Sequence, residues 1–111
     1  MSKRDHLLLL EDMLESCKKI GRYTQGHNLD SFSNDEKTID AVIRNFEIIG
    51  EAANRIDEKF RAQHPEIEWS RLRGFRNRIV HEYFGIDIEI VWSIIQNYLT
   101  ELTNWLEEIT D

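Results

Sequence analysis

At 111 residues and 13.3 kDa the chain has the size of one domain, and a second core would be too small to stand alone. Its 41% hydrophobic and 32% charged residues, with only 5 Gly and 1 Pro, exclude a disordered tail, and a net charge of −7 excludes a polyanion binder held by bulk positive charge. Any nucleic-acid contact must therefore be local.

The N-terminal apolar run is only the four leucines 7–10 before Glu11, too short for a signal or membrane segment. Ser2 to Asp5 has capping-box spacing, and Leu7, Leu10, Leu14, Cys17 and Ile20 recur on one face, which predicts a first helix from Ser2 that ends by Gly26. The lone Cys17 cannot form an internal disulfide and sits on that stripe, as a reduced core thiol of a cytoplasmic protein would. The stretch "GHNLDSFSND" reads as a loop that delivers Asn34 or Asp35 as the next N-cap.

A long second helix follows, with Ile39, Val42, Phe46, Ile49, Ala53, Ile56 and Phe60 on its stripe. Gly50, Ala52 and Ala53 allow another helix close approach, and His64-Pro65 breaks it. The last segment, "DIEIVWSIIQNYLTELTNWLEEI", places Ile88, Val91, Ile95, Tyr98, Leu102, Trp105 and Ile109 at heptad spacing, with Trp92, Leu99 and Leu106 as a flanking stripe. That face is wide enough for a bundle interior or a bundle plus a partner helix. No strand signal competes, so the expected fold is all-α: one domain over residues 1–111, an antiparallel bundle of four to five helices that dimerises.

Between these helices residues 71–83 hold Arg71, Arg73, Arg76, Arg78, His81 and Tyr83. Leu72, Phe75 and Ile79 would mark the core side of a helix here. At roughly 100° per residue Arg76 and Tyr83 share one stripe, while Asn77 and His81 share another about a third of a turn away. Arg76 therefore does not meet His81 by helical adjacency. Either it reaches around, the helix is distorted near Gly74, or a second chain completes the site.

The run Arg76-Asn77-Arg78-Ile79-Val80-His81-Glu82-Tyr83 has the pattern R-x-x-x-x-H-x-Y with Asn after the Arg, and it resembles the signature of HepT-like toxins in the HEPN superfamily of RNA-cleaving helical domains. "AVIRNFEIIGEAANRI", "IEWSRLRGFRNRIVHEYFGID" and "VWSII" are similar to that family's other characteristic stretches, in the same order. The resemblance implies a metal-independent endoribonuclease acting on RNA such as tRNA or mRNA. It also implies a homodimer with the site at the dimer interface, and neutralisation by an MntA-like minimal nucleotidyltransferase antitoxin that attaches AMP to Tyr83. No cofactor or membrane is implied.

The residue chemistry suits that role. Imidazole, with a pKa near 6.5, can accept or donate a proton near neutral pH, so His81 is the candidate acid or base. Arg76 offers a permanently charged planar fork to phosphate oxygens, and Asn77 can orient either partner. One histidine cannot be base and acid at once, and a two-fold dimer would supply two. Arg71, Arg73 and Arg78 would extend a basic strip for the RNA backbone, with Glu51 behind Arg76 or His81.

Blander readings stand beside these. His81 could be a structural histidine, and Arg76 could pair with Glu51 or Glu82. Asn77 could be an ordinary exposed residue, Tyr83 could pack at the core edge, and the flanking arginines could be solvated. The three tryptophans suit core or dimer packing better than base stacking, and His6, His27 and His64 read as surface residues without metal-ligand spacing. The rival function is a non-catalytic helical module that binds a nucleotidyltransferase or a nucleotide through its dimer groove.

Overall fold

The computed structural model describes the backbone of residues 1–81 and 87–111 and the side chains of residues 1–75 and 87–111. Every regular element among them is a helix: α1 Lys3–Thr24, α2 Leu29–Ser33, α3 Glu36–Arg55, α4 Glu58–Gln63, α5 Trp69–His81, α6 Ile88–Asn97 and α7 Leu99–Thr110. The all-α expectation holds. The count exceeds four to five because two short helices and one break were not legible in the periodicity.

α1 begins where its sequence says it should. The Ser2 hydroxyl accepts from the Asp5 backbone N–H at 3.1 Å, and the Asp5 carboxylate accepts from the Ser2 N–H at 3.2 Å, a complete capping box. Beyond its last turn Gly26 takes a φ of 82°, a left-handed conformation that glycine adopts without penalty. Within the expected loop Asn28 caps α2, and Ser31 returns the bond. Asp35, one of the two candidates, caps α3 through the Thr38 N–H at 3.1 Å.

The second helix does not run to His64-Pro65. It stops at Ile56, because the Asp57 carboxylate accepts from the Phe60 N–H at 2.9 Å and starts α4 on a new axis. The last helix also divides. Tyr98 leaves helical geometry (φ −130°, ψ −31°) between α6 and α7, with no Gly or Pro to mark the place. The break turns α7 so that Leu99, Leu102 and Leu106 are buried, while Trp105 and Ile109 stay partly exposed.

α3 lies at the centre, packed against α1 on one side and α5 on the other, and α7 closes over α1. Met13, Cys17 and Ile20 of α1, Val42, Ile49 and Ala53 of α3, Leu72 of α5 and Leu106 of α7 meet in one core with almost no solvent exposure. Gly50, Ala52 and Ala53 are buried, as close helix approach requires. Among the described residues, no helix is long and apolar enough to cross a membrane.

Candidate functional site

The arginine-rich segment forms α5, and Trp69 fixes its start. Its indole N–H donates to the His64 carbonyl at 2.9 Å, tying the Pro65 turn to the first helical residue. Leu72 and Phe75 anchor the helix on α3, and the Phe75 ring meets Phe46 edge-on with centroids 5.2 Å apart. A second tie is polar: the Arg73 Nε–H donates to the Asn54 side-chain oxygen at 3.1 Å.

These two contacts set the register. As α5 advances from Arg73 to Phe75, its partner on α3 moves back from Asn54 to Phe46, so the helices run antiparallel. Glu47 and Glu51 fall on α3 between these two contact points. Glu51 is exposed, and Glu47 is 3.4 Å from Arg44 on its own helix.

The α5 backbone stays helical through His81, without interruption at Gly74. Arg76, Asn77, Arg78 and His81 are therefore on its last two turns, described as backbone only. Five residues of helix separate Arg76 from His81 by about 7.5 Å along the axis. Tyr83 lies outside the described residues.

Arg71 and Arg73 are exposed but engaged. The Arg71 guanidinium sits over the Tyr98 ring, 4.3 Å from its centroid, and its Nη1 is 3.3 Å from a Glu68 carboxylate oxygen. Tyr98 is buried, and burial, with Glu68 next, pushes its phenol up to about 12, so the ring stays neutral under the cation. Between α5 and α6 a groove of about 370 Å³ opens beside this pair, lined by Arg71, Gly74, Phe75, Ile90, Ser93 and Ile94.

His6 corrects the reading of the other histidines as surface residues. It is buried on α1 with its ring stacked on Phe60 at 4.4 Å, and its Nε2 is 3.1 Å from Oδ2 of Asp57. The break that creates α4 brings Phe60 back over α1, and a stripe drawn on one long helix could not show it. His27 and His64 are half-buried and lie within 3.6 Å of Asp35 and 3.2 Å of Glu66 respectively. Asp35 and Asp57 are both held below the ordinary carboxylate value, Asp35 first by the Thr38 hydroxyl and Asp57 first by the Phe60 N–H. Cys17 is buried as expected, and burial pushes its thiol up to about 12.

Against known proteins, the chain matches the family model described as Ribonuclease HepT-like over residues 13–109. It is 38% identical to a protein of Methanocaldococcus jannaschii provisionally named as an RNase, over 98% of this chain and 90% of that one. It is 36% identical to the Probable ribonuclease HepT of Thermococcus cleftensis, over 96% of this chain and 97% of the relative. A third relative, provisionally named as an RNase in Caldanaerobacter subterraneus, is 33% identical over 90% of this chain and 89% of its own length. No solved structure matches. A match over nearly the whole all-helical chain, with the Arg76-to-Tyr83 motif inside it, means that this protein belongs to the HepT-like family of the HEPN superfamily.

Proposed function

We propose that this protein is a cytoplasmic, metal-independent endoribonuclease, the toxin of a toxin-antitoxin pair, working as a homodimer on tRNA or mRNA. The observation that carries the reading is that Arg76, Asn77 and His81 ride on one continuous helix, anchored to α3, in a chain whose family match covers residues 13–109. The names of its relatives, which specify RNase, support the substrate class.

The chemistry is transfer of a phosphoester within the RNA. One His81 takes the proton from the 2′-hydroxyl, whose oxygen forms a bond to phosphorus. The phosphorus bond to the 5′-oxygen breaks, and the partner's His81 returns a proton to that leaving oxygen. Arg76 stabilises the negative charge that builds on the non-bridging oxygens, and Asn77 orients the imidazole or the phosphate. A two-fold axis beside the end of α5 supplies both histidines to one cleft. AMP attached to Tyr83 by a minimal nucleotidyltransferase antitoxin would put a phosphate and a base beside Arg76 and exclude RNA.

Purified protein incubated with total RNA in excess chelator tests this reading. Fragments ending in a 2′,3′-cyclic phosphate are expected. No cleavage, or cleavage only with a divalent ion, overturns it and favours the non-catalytic helical module.

A further inference from the structure

The Arg71 guanidinium is the described cation beside the motif whose geometry is fixed on two sides. Tyr98 supports it from below at 4.3 Å, and Glu68 holds one edge at 3.3 Å. The Arg71 side chain nevertheless keeps 44% of its surface exposed. A guanidinium backed by an aromatic ring on one face and with a donor engaged by a carboxylate is less free to fork onto a phosphate than to stack. It also borders the groove between α5 and α6, whose other walls are Phe75, Ile94, the half-exposed Ile90 and the Gly74 backbone, with the Ser93 hydroxyl among the lining groups.

We propose that this groove is a nucleobase subsite, in which one unpaired base of the RNA stacks on Arg71. A base has a flat π-face for the guanidinium, apolar edges for Phe75 and the isoleucines, and a polar edge that the Ser93 hydroxyl can meet. Arg71 is five residues upstream of Arg76 on the same helix, about 7.5 Å along the axis and about 140° around it, so a strand that reaches both crosses the surface of α5. The proposal rests on the ribonuclease reading and gives Arg71 a different task from the backbone contact expected of a basic strip. It reads the base plane, and Tyr98 positions it.

The test uses a short single-stranded oligonucleotide fully 2′-O-methylated, which cannot be cleaved, carrying 2-aminopurine at one position, and the same oligomer abasic there. The full-length protein is expected to quench the 2-aminopurine at one position along the strand and to bind the base-bearing oligomer on the order of tenfold more tightly than the abasic one. Arg71→Lys keeps the charge and loses the plane, so it should lose that discrimination while keeping the salt dependence of binding. Arg71→Gln, which keeps a flat polar end without the charge, should retain part of it. If the wild type binds both oligomers equally, or if Arg71→Lys discriminates as well as wild type, the subsite is overturned. If Ile90→Arg turns a dimer into a monomer by light scattering while wild type shows no discrimination, the groove belongs to a second copy instead. Discrimination without cleavage of unmodified RNA would sink the ribonuclease reading and leave the subsite standing.

Discussion

His81 and Arg76 are the residues on which the proposed chemistry turns, and their substitution separates catalysis from folding. At about 100° per residue His81 falls on the far side of the helix from the Leu72, Phe75 and Ile79 stripe and Arg76 borders it, so His81→Ala should change stability by about 1 kcal/mol or less, and Arg76→Ala by less than the roughly 2 to 5 kcal/mol of a core truncation. Loss of the acid-base group should lower the cleavage rate about 10²- to 10⁴-fold, and loss of the charge at the phosphate about 10²- to 10³-fold. Single-turnover cleavage beside thermal melts checks both, and a variant that melts like wild type and cleaves like wild type removes that residue from the mechanism. Tyr83 gives the regulatory counterpart. Co-expression with a minimal nucleotidyltransferase of the proposed antitoxin class should add AMP units to the wild-type mass and none to Tyr83→Phe. AMP found on another residue ends the assignment.

Among elements, the two aspartate caps are the pH-sensitive joints. Asp35 starts α3 and Asp57 starts α4, and each also lies near a histidine of another segment, His27 or His6. Their folded pKa values lie below the ordinary aspartate value of 3.8, so their stabilisation is fully present above that value and is lost as pH falls through the lower folded value. Asp35→Ala and Asp57→Ala should therefore melt below wild type at neutral pH, and the deficit should close as the pH drops through the carboxylate range. A deficit that persists unchanged at pH 2 would mean that the side chains act by packing and not as charged caps. α4 buries no residue completely and leans on His6, so Asp57→Ala should raise amide exchange in Glu58–Gln63 before it affects α3.

For the whole molecule, the core joins six of the seven described helices through buried side chains, so opening one part should expose the rest. Cys17 reports on this. Its thiol is buried and pushed up to about 12, so at neutral pH a thiol reagent should react only when the core opens. Leu72→Ala removes a fully buried side chain where α5 meets α3 and should cost about 2 to 5 kcal/mol. Cys17 labelling should then accelerate by roughly one and a half to three and a half powers of ten, provided core opening is in fast equilibrium. An unchanged labelling rate would show that Cys17 is reached by a local fluctuation independent of α5.

Local signals in the sequence determined the all-helical class, the α1 cap, the choice of Asn34 or Asp35 as the next cap, and the burial of Cys17, while the structure settled Asp35 as that cap and an unbroken helix through His81. Capping and 3.6-residue periodicity act within a few residues, so they can be read without knowing what lies opposite. Tertiary structure decided the rest. The heptad of residues 88–109 gave no sign of the Tyr98 break, because no Gly or Pro causes it and only the rotation that buries Leu99 and Leu106 explains it. The stripe from Ile39 to Phe60 hid the stop at Ile56, since a capping aspartate within an apolar pattern competes with continuation and packing settles the outcome. His6 read as a surface residue because the partners that bury it, Phe60 and Asp57, lie fifty residues away in the chain. Arg71 became a supported plane rather than one more cation for the same reason: Tyr98 comes beneath it only when α5 and the α6–α7 junction meet.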